Sequence, residues 1–405
     1  MKSHFNPSAY LPEPMTKLAL RLESEGHPTY WVGEDLSRAV LNQTPVRFSF
    51  LTTATSQQIL KSLPSAVPTR SLGRSFVVPT SAGPVDLAPL GAGHTLEDNL
   101  SRRGFTLLGL AWRPADQEGT DVQNGMRDLQ DGHLRCMGAP ITDLSQAPAR
   151  ALQAACLAAE YRLTVDPSLQ SAMGLAFKDQ SEGIPKPELR SHLNRLLLIP
   201  DPTPGVDLLR STGIERQLGL GQGGDSARLM ALSPIDLGLR WMIWLRNGRG
   251  TRPLRKLGTG LDLTRRIQNL LAAHPIEERF PQRRGRSLRK WCARLGDEDC
   301  EKLVELRKNE LKRHPNGQDS ESQIRLKTLI GAIAEESAEI EAGQKAIKPL
   351  LGGREIMDLL NLPPGPEVGA ALLFMKEKIE SDPTQNNPST LTELLKSWAA
   401  EKKHA

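Results

Sequence analysis

The sequence lacks any apolar run of the roughly 18 residues that a membrane-spanning helix needs. Its first residues, MKSHFNPSAYLPEP, contain no apolar core of a signal peptide. Aromatic residues make up only 4% of the 405 residues, so leucine and alanine must fill most of the interior. We therefore expect a soluble, cytoplasmic protein with no membrane partner.

Closely spaced metal ligands are absent as well. The eight histidines form no HxxxH or HD pair, and no CxxC pair occurs among the four cysteines, Cys136, Cys156, Cys292 and Cys300. Structural zinc sites need such spacings. We predict reduced, buried thiols and no zinc site.

The positive charge is unevenly distributed along the chain. The net charge is +5, but residues 246–294 contain 14 basic and three acidic residues, so this segment carries +11 and the remainder −6. A basic block in an acidic chain is typical of proteins that contact a nucleic-acid backbone. A solvated, arginine-rich helical surface is the alternative interpretation.

Periodicity divides the chain into two parts. From Tyr30 to about Leu134, short apolar runs alternate with helical segments, and SFVVPT and PVDLAPL form a predicted hairpin. RRGFTLLGLAW fits a helix or a buried strand. Beyond Gly138 the apolar residues recur at helical spacing, so we predict no further strands. The pattern indicates an α/β head followed by helices.

Ordered motifs support a more specific interpretation. YWVGEDLSRAVL resembles V-G-G-x-V-R-D-L-L, PVRFSFLTTAT resembles P-x-D-x-D-x-A-T-x-A-T, and HTLEDNLSRRGFTLLGLA resembles T-L-E-x-D-L-x-R-R-D-F-T-x-N-A-M-A. DVQNGMRDLQDGHLRCMG, QAPARALQAACLAAEYRLTVDP and GREIMDLLNLPPGPEVG extend the likeness over about residues 28–380. Together they are similar to the bacterial tRNA nucleotidyltransferase and poly(A) polymerase family, which has the class II CCA-adding fold.

The resemblance implies an α+β fold in four parts. These are a nucleotidyltransferase-type α/β head at residues 1–140, a helical neck at 141–219, an arginine-rich helical body at 220–315 and a helical tail at 316–405. In the family, the neck binds RNA and selects the nucleotide.

The catalytic motif of the family is altered. Family members transfer a nucleotide from CTP or ATP to an RNA 3′-hydroxyl, and two Mg²⁺ ions need carboxylate ligands for that step. Side chains two apart on a strand point the same way, so D-x-D places both carboxylates on one face. Here Arg47 and Ser49 occupy those positions. The resemblance thus implies a member with degenerate catalytic motifs and no metal site.

Other motif positions that take part in the family's reaction differ too, whereas apolar and turn positions match the family. The changed positions are Glu34, Ser37, Arg38, Gly104, Leu108, Gln146, Ala147, Gly183 and Ile184. The nucleotide-binding positions that remain are Gly33, Arg102, Arg103 and Arg150.

Three hypotheses follow. The first is an inactive member that needs no cofactor and binds tRNA or another structured RNA through Arg283, Arg284, Arg286, Arg289 and Lys290. The second is an active nucleotidyltransferase that uses Mg²⁺ with CTP or ATP at a metal site rebuilt from Glu34, Asp35 and Asp86. The third is a scaffold that binds a protein partner.

Overall fold

The protein is represented by a computed structural model that describes residues 2–3, 5–69, 75–91, 93–221, 226–248, 250–280, 291, 295–312, 320–347, 349–381 and 385–403. Internal contacts divide the chain into two compact units, Met1–Ala272 and Ala273–Ala405. The predicted four-part division, with borders after residues 140, 219 and 315, stays a prediction.

A mixed eight-stranded sheet forms the centre of the head. Its strand order is β1-β8-β7-β2-β3-β6-β5-β4, and β3 and β6 run parallel whereas the other neighbours are antiparallel. The strands are β1 (Lys2–Ser3), β2 (Thr29–Val32), β3 (Phe48–Thr52), β4 (Val67–Pro68), β5 (Phe76–Val78), β6 (Val85–Pro89), β7 (Leu110–Arg113) and β8 (Glu118–Asp121). The predicted hairpin is confirmed as β5 and β6.

The secondary structure differs from the sequence prediction in two places. RRGFTLLGLAW contains a 3-10 turn at Thr106–Leu108 and then strand β7, so it is neither one helix nor one strand. The expectation that strands end by Gly138 is wrong. Strand β9 (His133–Leu134) pairs in parallel with β10 (Thr164–Val165). A strand of two residues is too short to produce a periodic pattern.

The head helices begin where the local sequence predicts them. They are α1 (Glu13–Ser24), α2 (Glu34–Val40), α3 (Ser56–Ser62), α4 (Leu96–Ser101) and α5 (Gly125–Asp131). Thr55 and Gln58 form a capping box at the start of α3, and Thr95 and Asp98 form one at α4. Such boxes satisfy backbone N–H groups that the first turn leaves unpaired.

Eleven further described helices, α6 to α16, follow the head. They are α6 (Pro140–Gln146), α7 (Arg150–Tyr161), α8 (Pro167–Gln180), α9 (Lys186–Leu198), α10 (Thr203–Ser211), α11 (Ile214–Gln217), α12 (Ser226–Leu232), α13 (Leu237–Leu245), α14 (Arg252–Lys256), α15 (Leu261–Ala273) and α16 (Ile276–Arg279). This confirms the predicted helical remainder.

Helix α13 lies in the core of the first unit. Eight of its nine residues are buried, including Arg240, whose guanidinium donates to the carbonyl oxygens of Leu197, Ile199 and Pro200 at the end of α9. A buried cation needs such partners, because an unpaired one would lose its hydration without compensation. The contact therefore fixes α13 against α9.

The second unit is helical in its described residues. Its main helices are α17 (Asp297–Lys312), α18 (Ser320–Ile347), α19 (Gly353–Leu360), α20 (Pro366–Ser381) and α21 (Pro388–Lys403). An apolar cluster that includes Ile356, Met375 and Leu391 joins α19, α20 and α21. No helix in the ranges given above is both long and apolar enough to cross a membrane.

Candidate functional site

The candidate site lies where β2, β3 and β6 meet. Ser49 on β3 is opposite Asp86 on β6 and opposite Val32 on β2. Gly33 follows β2 with a φ of +93°, a conformation that glycine adopts without strain. A Cβ atom at Gly33 would lie 3.8 Å from Arg103 Nη1 and 3.9 Å from Ser49 Cβ. The fold therefore brings Gly33, Ser49, Asp86 and Arg103 to one place.

Arg47 forms a two-pronged ion pair with Asp86. Its Nε lies 2.5 Å from Asp86 Oδ2, and its Nη2 lies 2.9 Å from Asp86 Oδ1. This hydrogen bond raises the pKa of Arg47, so the guanidinium stays charged. The planar fork of a guanidinium matches the two oxygens of a carboxylate. Both oxygens of Asp86 thus have a cationic partner within the chain.

These residues do not fit a pair of Mg²⁺ ions. Mg²⁺ requires oxygen ligands with near-octahedral geometry, usually including carboxylates. Asp86 is bound to Arg47, and Ser49 offers one uncharged hydroxyl. The positive charge of the Arg47 guanidinium would also repel a divalent cation placed beside Asp86. Among the described residues, no group of three histidine, cysteine or acidic side chains is arranged to hold a metal.

Asp35 and Glu34, the other two carboxylates considered for a rebuilt metal site, also have partners within the chain. Asp35 accepts hydrogen bonds from the backbone N–H groups of Val46, at 2.6 Å, and Arg47, at 3.1 Å. Burial raises the pKa of Asp35. Glu34 pairs with Arg195 at 2.5 Å and accepts from Gln153 at 3.0 Å. All three candidate carboxylates therefore have partners within the chain.

Glu34 and Arg38 belong to an ion network that joins α2 to α7 and α9. Arg38 pairs with Glu160, Glu160 pairs with Arg195, and Arg195 pairs with Glu34. Burial acts to raise the pKa of Glu160, but the guanidinium groups of Arg195 and Arg38 lower it overall. Arg38 also lies 3.9 Å from Asp35, so each arginine of the network contacts two carboxylates.

Sequence reasoning missed this network. Glu34 and Arg38 stood out only as departures from the family motifs, and their partners Glu160 and Arg195 lie more than 120 residues away in the chain. Acidic and basic residues are common on helices, so neither partner carried a recognisable signal. Two positions that look like losses in the sequence are structural contacts in the fold.

The nucleotide-binding remnants occupy different environments. Arg103 is half-buried, and its Nε donates to Asn99 Oδ1 at 3.2 Å. Burial lowers the pKa of Arg103 to about 10. Arg150 pairs with Asp143 and donates to the carbonyl oxygen of the exposed Arg102 at 2.6 Å. Arg103 lies near Gly33, whereas Arg150 contacts Asp143 and the backbone of Arg102, and the nucleotide-binding role of both stays a prediction.

Gly104 provides the space that Arg150 occupies. It has a φ of +86°, and an added Cβ would lie 2.8 Å from Arg150 Nε and 2.9 Å from Arg150 Cδ. Gly104→Ala should destabilise the protein by roughly 2 kcal/mol or more, because left-handed strain adds to this contact. Urea unfolding would measure the loss.

Gly132→Ala is the matched control. Gly132 also has a positive φ, of +70°, but an added Cβ there would meet nothing within 4 Å. It should report the backbone strain alone. Equal losses in the two variants would show that contact with Arg150 adds no cost.

The predicted RNA contacts of the first hypothesis lie outside the described residues. These are Arg283, Arg284, Arg286, Arg289 and Lys290, all within residues 281–290. Trp291, which follows them in the chain, is half-buried. Their role stays a prediction.

The head is a mixed sheet with the candidate site beside β3 and β6, and helices follow it. This is the architecture of the CCA-adding enzyme fold. The structure of the Bacillus stearothermophilus CCA-adding enzyme matches it with a TM-score of 0.63, covering 97% of this chain and 99% of that one. The sequence identity is 17%, so this likeness establishes the fold.

Sequence comparison then identifies the relatives. The chain is 28% identical to an A-adding tRNA nucleotidyltransferase from Deinococcus radiodurans over 341 residues, which are 70% of this chain and 75% of that protein. It is 27% identical to poly(A) polymerase I from Salmonella typhimurium over 179 residues, 37% of this chain and only 38% of that polymerase. No protein-family model matches. The chain is a relative of the bacterial poly(A) polymerases and tRNA nucleotidyltransferases.

Proposed function

We propose that this protein binds tRNA or another structured RNA without adding nucleotides to it. The observation that carries the proposal is the pairing of Arg47 with both oxygens of Asp86, next to Ser49. Nucleotidyl transfer depends on metal ions that neutralise the phosphates and activate the hydroxyl. A guanidinium does not activate a hydroxyl, and its pairing with Asp86 competes with a metal ion for that carboxylate.

The RNA partner is supported by the relatives and by charge. One relative is named for acting on tRNA, and residues 246–294 carry a net charge of +11. Lysine and arginine contacts to phosphates supply most of the non-specific affinity for nucleic acids. Recognition of structured RNA relies mainly on shape and backbone contacts, so it does not need the altered nucleotide-binding residues.

An incorporation assay tests the proposal. Purified protein is incubated with labelled ATP or CTP, Mg²⁺ or Mn²⁺, and tRNA lacking its 3′ end. We expect no incorporation while the same tRNA is retained in a filter-binding assay. Asp86→Ala is the matched variant, because it removes the carboxylate nearest to Ser49.

Two results would count against the proposal. Incorporation that disappears in Asp86→Ala would establish an active enzyme that releases Asp86 from Arg47 during the reaction. Absence of tRNA retention at low salt would instead favour a scaffold that binds a protein partner.

A further inference from the structure

We propose that a basic surface around α14 binds the phosphate backbone of structured RNA. We call it the α14 surface and define it by Arg190, Arg252, Arg255, Lys256 and Arg265. It lies in the first unit, entirely within described residues and apart from residues 281–290. The inference rests on the proposed function and narrows the RNA contact within the basic segment 246–294 to the exposed cations of α14 and α15, together with Arg190 of α9.

Helix α14 supplies the centre of this surface. Arg252, Arg255 and Lys256 are exposed. Residues three and four apart on a helix are neighbours on one face, about 5–6 Å apart between Cβ atoms. A five-residue helix thus presents three cations on the same side. That spacing allows each cation to reach a different phosphate of one strand.

Helix α15 adds a fourth cation. Gln268 Nε2 donates to Thr251 Oγ1 at 3.0 Å, so the middle of α15 packs against the start of α14. Arg265 is exposed and lies three residues before Gln268, on the α15 face that makes this contact. Arg265 therefore extends the surface beside α14.

Arg190 on α9 closes the other end. Its Nη1 donates to the carbonyl oxygens of Leu257, at 2.9 Å, and Gly258, at 2.6 Å. A cation at the last turn of a helix satisfies its unpaired carbonyl groups and interacts well with the helix dipole. Arg190 both positions α14 and adds positive charge there.

The outer cations of this surface are not neutralised within the protein. Arg252, Arg255, Lys256 and Arg265 have no carboxylate within ion-pair distance among the described residues, and Asp262 is the one acid in residues 252–265. The adjacent Arg266, by contrast, pairs with Asp236 at 3.0 Å. Paired arginines stabilise the fold, whereas exposed unpaired ones remain available to an external anion.

Phosphodiester groups fit this surface better than an acidic peptide does. Arginine binds phosphate oxygens in a two-pronged geometry, and three of the four unpaired cations are arginines. Closely spaced cations on a short rigid helix favour a ligand with regularly spaced charges. We therefore assign the surface to RNA.

Salt-dependent binding tests the assignment. Fluorescence anisotropy of a labelled tRNA transcript is measured at several KCl concentrations with the full chain and with R252Q/R255Q/K256Q. Each lost phosphate contact lowers the slope of log affinity against log salt by roughly 0.7 to 1. We expect the variant's slope to fall by about two to three and its affinity to weaken.

The control variant is R21Q/K61Q/K178Q, which removes the same charge from exposed positions elsewhere in the first unit. It should keep the wild-type slope. Equal slopes in the two variants would overturn the α14 surface but leave RNA binding intact. No tRNA binding by the wild type would overturn both. Complete displacement of the tRNA by poly-L-glutamate at equal charge concentration would reassign the surface to an acidic protein.

Discussion

The double variant R47D/S49D is expected to bind Mn²⁺ at least tenfold more tightly than the wild type. The substitutions remove the guanidinium that holds Asp86 and add two carboxylates beside it. Carboxylate oxygens are the ligands that hard divalent cations prefer. A tenfold gain corresponds to about 1.4 kcal/mol of binding free energy, a modest demand for three added or released carboxylates. Titration calorimetry with Mn²⁺ measures the change.

The matched control is R47A/S49A. It frees Asp86 without supplying new ligands, so any gain in this variant measures the effect of Arg47 alone. We expect a much smaller gain than for R47D/S49D. If both variants bind Mn²⁺ as weakly as the wild type, then Arg47 and Ser49 are not what prevents metal binding beside β3 and β6.

Glu160→Ala is expected to reduce the free energy of unfolding by about 3 kcal/mol. The Glu160 side chain is 14% exposed and contacts both Arg38 and Arg195. Removing one member of a buried ion pair costs roughly 3–5 kcal/mol, because the partner charge is left without compensation. The lower end applies here, because both arginines retain some contact with solvent. Urea unfolding at neutral pH measures the loss.

Glu13→Ala provides the comparison for this loss. Glu13 pairs with Lys17, but both side chains are more than 70% exposed. Exposed ion pairs contribute little to stability because water screens the charges, so this variant should be close to wild type. Similar stability losses in Glu160→Ala and Glu13→Ala would contradict a structural role for the network.

The pH dependence of unfolding gives a second readout of the network. The pKa of Glu160 is lowered from its usual value of 4.5 in the folded protein. Its contribution is therefore present above that value and is lost as the pH falls through the folded pKa. As the pH falls below about 4.5 and through the folded pKa, the wild type should lose more stability than Glu160→Gln.

Much of the fold followed from local sequence patterns. Turn chemistry predicted the β5–β6 hairpin, and apolar spacing predicted helices α9, α13 and α15. Strand β10 was missed because its ordering depends on β9, about 30 residues earlier. Local signals do not encode pairings of that kind.

The candidate site was only partly predictable. The substitutions at positions 47 and 49 were visible in the sequence, but the partner of Arg47 was not. It became clear only from the parallel register of β3 and β6, which places Asp86 beside Ser49. Likewise, the cluster of basic residues in the sequence led to the prediction of RNA contacts at residues 283–290. Which arginines are paired with acids could be seen only in the structure, because those acids lie far away in the chain.

The ion pair between Arg47 and Asp86 bears on whether the stability of the protein depends on dissolved Mg²⁺. In an active site with several neighbouring carboxylates, the like charges repel one another, and bound Mg²⁺ offsets that repulsion. Here the opposing charge is built into the polypeptide, and Asp35 fixes the backbone N–H groups of Val46 and Arg47 on the adjoining turn. We therefore expect chelators to leave its melting temperature unchanged.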